Sequence, residues 1–341
     1  MMISDKIFHC LAVVAACSLL LAAGCASADK ETVETRPGPE EQLPAVRLAL
    51  EFTPQDSTTY KVITERERSV ELEGALSDDA AFEGGRTGSR VEITFTQQIQ
   101  SVDDEGNAVA KITIKEVKYS AKVKDETKVA FDSSRKEDQR NPMAKLIGQS
   151  YTIKISPAGK VVGEPDVRKA QAAVSGRSPA GKTALELLKP DAVKGRHTIP
   201  ALPLTDKNQV RPGDGWSRVK KFSYDLMGAE SYERIYTLKE IKDADGRRIA
   251  IVEMNAIPSS EMAEQLYKEQ ATSAFSKMFD STKTYTGQLK LDLTAGKVEK
   301  YFEKLQIEWV VVDPSIEQGD DKGPAALKMG VLRLYSLEKI D

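Results

Sequence analysis

The segment Gly176-Arg177-Ser178-Pro179-Ala180-Gly181-Lys182-Thr183 matches the phosphate-loop pattern G-x-x-x-x-G-K-[ST] at each fixed position. In a working loop the glycines let backbone N–H groups approach phosphate oxygens, the lysine reaches the β and γ groups, and the hydroxyl holds magnesium. Trp309-Val310-Val311-Val312-Asp313 adds the look of an apolar strand ending in a magnesium-binding carboxylate. The flanking sequence speaks against this chemistry. A phosphate loop leaves a buried parallel strand, whereas Val167 to Val174 is charged, alanine-rich and helical in character, and the remaining chain reads as antiparallel hairpins. The match is read as a solvated loop ahead of a short helix. No catalytic, cofactor-binding or metal-ligating residue is assigned, and nucleotide binding stands third among the functions considered.

Other reactive constellations are equally thin. His197 is the one histidine beyond His9, so no histidine pair can hold zinc and a Ser-His-Asp relay would have a single base to draw on. Its neighbours Arg196 and Thr198 and the nearby prolines predict an exposed loop histidine. Asp103-Asp104-Glu105-Gly106-Asn107 and Asp243-Ala244-Asp245-Gly246-Arg247 are acidic stretches that end just after a glycine, where Asp favours the turn itself and stays solvated. Neither has the spacing of a calcium loop. Trp309 shares a strand face with Ile307 and Val311 and is expected in the core, while Trp216 is the more open of the two tryptophans.

The remaining reactive group is a thiol. Cys10, Cys17 and Cys25 all lie in the first twenty-five residues, which leaves the folded part without a disulfide, a thiolate metal site or a cysteine nucleophile. Those residues run from a head with Lys6 through the apolar stretch Ile7 to Leu21 and end Leu21-Ala22-Ala23-Gly24-Cys25. Small residues before a cysteine at the end of so short an apolar run resemble the lipobox of bacterial lipoprotein signals. Cys17 also follows small residues, but the apolar run continues past it, so Cys25 is the expected lipidated first residue of the mature chain, after a signal over 1–24. By the same resemblance, Ala26 in place of an Asp favours the outer over the inner membrane. Each buried methylene of a grafted acyl chain adds about 0.8 kcal/mol of membrane affinity.

Composition narrows the rest. Lys and Arg number 49 against 52 Asp and Glu, without the basic excess that collects nucleic-acid phosphates, so no nucleic-acid partner is expected. After Leu21 no apolar run is long enough for a spanning helix. Residues 25–45 are polar with Pro37, Pro39 and Pro44, as suits a flexible tether whose reach is on the order of 25 Å.

The body reads as mainly β with a few helices. Val91, Ile93, Phe95 and Ile99 alternate with polar residues, the period of a half-buried strand. The return strand alternates Ile112 and Ile114, then changes phase at Lys115-Glu116 to Val117 and Tyr119, which predicts a β-bulge there. Tyr151-Thr152 leads to the turn Ala158-Gly159-Lys160-Val161, and Tyr285-Thr286 leads to Ala295-Gly296-Lys297-Val298. With the nearly equal offsets from Gly106 to Gly246 and from Gly159 to Gly296, this predicts an internal duplication: two related antiparallel curved-sheet units, 46–165 and 204–341. Helices are expected over 141–149, over about 259–281, and, in a linker spanning 166–203 with Pro179, Pro190, Pro200 and Pro203 as breakers, over 166–174 and 182–189.

The step Pro212-Gly213-Asp214-Gly215-Trp216 and the strand, turn and strand around Gly159 resemble a family of bacterial β-rich exported lipoproteins that open their second half with Gly-Asp-x-Trp. The resemblance implies the address and the fold class and brings no catalytic residue. The sequence thus points to a lipid-anchored, extracytoplasmic envelope protein of non-catalytic type. Its expected partners are the membrane, through Cys25, and either an apolar or lipid-like ligand or an envelope protein. The alternative is a scaffolding role through an exposed face or edge strand.

Overall fold

The computed structural model describes residues 44–73, 84–174, 176–224, 227–244, 246–259, 278–313 and 325–340. The signal, Cys25 and almost all of the tether lie outside these residues, as does 260–277, the body of the expected long helix. Asp280 and Ser281, placed by sequence at that helix's end, already belong to a strand.

Stretches of period two become strands because alternate side chains bury on one face while their neighbours remain at the surface. The first half of the chain supplies β1 (Val46–Arg47), β2 (Ser57–Glu73), β3 (Gly85–Val102), β4 (Ala108–Val123), β5 (Glu126–Asp132), β6 (Ser150–Ile155) and β7 (Val161–Asp166). The second half supplies β8 (Gln209–Val210), β9 (Gly215–Ser223), β10 (Ala229–Ala244), β11 (Arg247–Pro258), β12 (Asp280–Asp292), β13 (Lys297–Asp313) and β14 (Ala325–Lys339). Twelve of these form one antiparallel sheet in the order β7-β6-β4-β3-β2-β14-β13-β12-β11-β10-β9, with β5 also on β4, and β1 pairs with β8. The sheet is not closed. Its seam is β2 against β14, paired from Tyr60↔Lys339 to Glu73↔Ala326, so the two halves expected from sequence share a single sheet. They are alike in strand order and unlike in extent, since β6 and β7 have 6 residues each and β12 and β13 have 13 and 17.

The phase change at Lys115-Glu116 is a bulge: Thr94 pairs with Glu116 and Phe95 with Ile114, leaving Lys115 as the extra residue. Ile112, Ile114 and Val117 are buried on either side of it. The same point divides β4's outer edge, which pairs with β6 over Ala108 to Thr113 and with β5 over Lys118 to Val123. One inserted residue therefore keeps the apolar face inward and lets two short strands share one long edge. At the far edge β7 carries Pro165, which lacks a donor and blunts further pairing.

The second half curls strongly. Flat, with neighbours about 4.8 Å apart, β9 and β14 would be on the order of 24 Å from each other, since five strand steps separate them. Instead Arg333 on β14 donates to the Ser223 carbonyl on β9 at 3.2 Å, and its guanidinium lies 5.0 Å from the centre of the Phe222 ring. Lys220 on β9 likewise reaches Glu303 on β13.

Between the halves lie α1 (Arg168–Ala173), α2 (Pro179–Leu187) and α3 (Pro190–His197). Pro179 and Pro190, read as breakers, begin helices instead, because a proline at the first helical position has no N–H to waste and its φ is already helical. Ser178 caps α2 through the Gly181 N–H at 3.1 Å. Segment 141–149 forms no α-helix. It holds a 3-10 turn at Pro142–Leu146, preceded by another at Lys136–Arg140. Ala170, Ala184, Leu188 and Val193 fix the helices into the same core cluster as the sheet.

Candidate functional site

One row of paired residues crosses the inner face of the sheet. Trp216 pairs with Tyr236, Tyr236 with Met254, Met254 with Gly287, Gly287 with Glu303, and Glu303 with Tyr335. The row continues through Thr64 on β2 to Val91 on β3. Gly287 has no side chain beside Glu303, and Gly287 and Met254 are the residues that separate Glu303 from Tyr236 along the row.

Glu303 is the centre of a buried cluster. Its Oε1 accepts from Arg234 at 2.7 Å, from Tyr236 at 3.5 Å and from the Tyr301 hydroxyl, while Oε2 accepts from Tyr285 at 2.7 Å and Lys220 at 3.2 Å. Glu303 is 5% exposed and Arg234 6%. Burial alone would raise the carboxyl, but Lys220 and Arg234 outweigh it and hold it at about 2. Desolvation drives Lys220 down from its ordinary value, and Arg234 and Arg333 press it the same way. Burial keeps the phenols of Tyr285 and Tyr301 neutral, with Glu303 adding to the effect. The carboxylate is thus ionised, saturated with donors and held rigidly. Such a group positions its neighbours and has no proton to give.

Around it lies a surplus of positive charge. Arg218 on β9 pairs directly with Arg234 on β10, an unfavourable cross-strand combination. Each guanidinium has one acceptor, the Leu202 carbonyl for Arg218 and Glu303 for Arg234, and the Nε of each is buried without an acceptor among the described residues. Arg196, 6% exposed, donates to Tyr151 and to the Leu187 carbonyl and meets no carboxylate among the described residues.

Of these groups Arg196, Lys220, Tyr285 and Glu303 border a cavity of about 610 Å³ between the sheet and helices α2 and α3. Val62, Val91 and Ile93 on β2 and β3 make an apolar patch beside Thr64, Glu65, Arg66 and Ser89 of the same strands, and Lys220, Glu303 and Arg333 on β9, β13 and β14 make a charged side. Phe222 and Leu305 extend the apolar surface into the charged side, and Leu187, Ala192 and Arg196 come from the helices. Its volume falls in the range of small-molecule sites, roughly 300–1,000 Å³. A second hollow near His197 and Lys297 measures about 40 Å³. That is room for about one water.

His197 is corrected from exposed loop to core. It ends α3 at 4% exposure, with Nε2 2.7 Å from the Tyr151 hydroxyl and its ring edge-on to Phe95 at 4.7 Å. Burial, with Arg196 beside it, pushes its pKa well below the usual histidine value. The phosphate-loop match starts in the connection after α1 and runs into α2, so a helix and not a strand precedes it, and Lys182 is exposed. Trp309 is in the core against Tyr224, with ring centroids 5.5 Å apart. Trp216 is half-buried and stacks on Tyr236 at 6.0 Å, its Nε1 without an acceptor among the described residues. Asp214 of the Gly-Asp-x-Trp step accepts the Arg211 N–H at 2.7 Å and the Leu238 N–H at 3.0 Å, which pins edge strand β9 to β10. Among the described residues no group of three or more His, Cys, Asp or Glu is placed to hold a metal. No described helix is long and apolar enough to cross a membrane.

The charged cluster was hidden among 52 acids and 49 basic residues, yet it leaves a mark. Tyr301, Glu303, Leu305, Ile307 and Trp309 occupy one strand face, and so do Tyr232, Arg234 and Tyr236. A charge at an inward position of an apolar alternation is the signal.

No family model matches the chain, and no curated protein matches it. Among solved structures, the chain is similar to one of lipid-protein interactions in lipovitellin, with a TM-score of 0.38 and 11% identity over 85% of this chain and 26% of that one. The chain therefore spans about a quarter of that protein's length. It is also similar to DynF from the dynemicin biosynthesis pathway of Micromonospora chersina, at a TM-score of 0.19 and 8% identity over 90% and 93% of the two chains. A third likeness, to OpdQ of Pseudomonas aeruginosa, has a TM-score of 0.16 and 6% identity over 82% and 97%. None of these scores reaches a shared fold.

Proposed function

We propose that this chain is a non-catalytic binding protein of the cell envelope, anchored by lipid at Cys25, which holds an apolar or lipid-like ligand between its sheet and helices α2 and α3. The cavity of about 610 Å³, with its apolar patch on β2 and β3, is the observation that supports this reading. That patch would remove a ligand chain from water at roughly 25 cal/mol per Å² buried. The anchor and tether would hold the body within reach of a membrane from which such a ligand could be taken.

Filling the cavity tests the reading. Ala192 is partly buried on α3 and lines the space, so Ala192→Trp is expected to abolish binding of a fluorescent fatty acid while leaving the urea midpoint nearly unchanged. Unchanged binding in a folded Ala192→Trp protein would exclude this cavity as the site. The address is tested separately: labelled palmitate should mark the wild-type protein in cells and fail to mark Cys25→Ala. Equal labelling of both would remove the anchor.

A further inference from the structure

We infer that β9, at the open end of the sheet, is a docking edge that takes an acidic, extended segment of a partner protein as an added strand. This is independent of what fills the cavity. The register fixes which backbone groups are on offer. Asp214 accepts the Leu238 N–H and Tyr224 donates to the Gly228 carbonyl, so the even-numbered residues between them face β10 and the odd-numbered ones turn their N–H and C=O groups away from it. Gly215, Ser217 and Val219 are exposed, and those outward groups meet no partner among the described residues. At the other end of the strand, Arg333 occupies the Ser223 carbonyl.

The other outer strands are protected against such an addition. Pro165 blunts β7, and on β5 the Ala130 carbonyl accepts from Arg135 at 3.3 Å while the Asp132 N–H donates to Asp138 at 2.8 Å. By contrast, β9 has no proline and pairs with β10 without a bulge from Gly215 to Ser223. Charge selects the occupant. Gly215–Ser223 carries Arg218, Lys220 and Lys221 and no acid. Lys220 is answered by Glu303 on β13. Arg218 is not: it lies opposite Arg234, its hydrogen-bond partner is the Leu202 carbonyl, and its Nε is buried without an acceptor among the described residues. An acid on an added strand, directly beside Arg218, supplies the missing anion, since opposite charges on neighbouring strands attract. A second copy of β9 supplies none, because antiparallel pairing centred on Val219 sets Arg218 against Lys220. On the outer face Val219 and Ile257 flank Glu233 in one row and Ile235 stands beside them, at 44%, 50% and 37% exposure. That apolar patch suits valine at the alternate positions of the incoming segment.

Fluorescein-labelled Glu-Val-Glu-Val-Glu-Val and Lys-Val-Lys-Val-Lys-Val peptides are titrated against the full chain by anisotropy. The acidic peptide is expected to bind and the basic one to fail. Val219→Pro removes an N–H that faces away from β10, so it should abolish binding and leave the urea midpoint nearly unchanged. Arg218→Gln should weaken the acidic peptide about fivefold, and Arg218→Lys should restore most of the loss. If Val219→Pro fails to fold, the acidic peptide methylated at every backbone nitrogen is expected not to bind the wild-type chain. Undiminished binding by folded Val219→Pro, or of the methylated peptide, would overturn the added strand. Equal affinity for the two peptides, unchanged in Arg218→Gln, would overturn the acidic partner. Binding of neither peptide would show that the basic residues keep this edge free, and the proposal would fall. A dimer in sedimentation that Val219→Pro dissociates would make a second copy the occupant instead.

Discussion

Glu303 illustrates how one side chain can set the character of a whole interior. It is nearly inaccessible to water, yet two cations and three hydroxyls keep it charged down to about pH 2. A carboxyl whose folded pKa lies below its ordinary value of 4.5 stabilises the fold above that value and loses the contribution as pH falls toward 2. The difference corresponds to roughly 3 kcal/mol. Glu303→Gln mimics the protonated state, so it should lower unfolding free energy at neutral pH by about this amount and flatten the dependence between pH 4.5 and 2. Urea unfolding at stepped pH measures both. A wild-type protein whose stability does not change over that interval would show that the carboxylate is not held as described. His197 carries the complementary lesson: its loop-like neighbours hid a core position, because burial came from where α3 ends and not from the residues beside it.

At the scale of elements, turns and their contacts decide which substitutions the chain tolerates. Gly246 and Gly296 both close hairpins with positive φ, 75° and 62°. A Cβ at Gly246 would meet nothing within 4 Å, whereas at Gly296 it would lie 2.6 Å from the Glu51 backbone nitrogen, which also donates to the Gly296 carbonyl. Gly246→Ala should therefore cost about 1 kcal/mol for its left-handed conformation, and Gly296→Ala clearly more. Thermal melting compares them, and equal losses would mean that the Glu51 contact does not constrain the turn. Alternation exposed the long strands, the four turn glycines and the bulge at Lys115, since a shift of phase on a half-buried strand must be absorbed locally. Helix α3 was not legible, because Pro190 reads as a breaker until its first-position role is seen. The 3-10 turns near Asn141 were missed for another reason: apolar residues at short spacing do not separate a tight turn from a helix.

For the whole molecule, the decisive property is how the sheet bends. Pairing of β2 with β14 joins an early strand to the last one, and curling of β9 toward β13 and β14 brings Lys220 to Glu303 and Arg333 to the Ser223 carbonyl across several strand widths. None of this was readable from local patterns, since strand order beyond hairpins depends on contacts between residues hundreds of positions apart. The result is a hollow with an apolar patch and a charged side, bordered by α2 and α3. The most direct test of the account is photo-crosslinking of the full chain with a diazirine-bearing fatty acid, followed by peptide mapping. Labels concentrated on β2, β3 and α3, around Val62, Val91, Ile93 and Ala192, and removed by excess unlabelled fatty acid, are the predicted result. Labels scattered over exposed residues and indifferent to competition would contradict it.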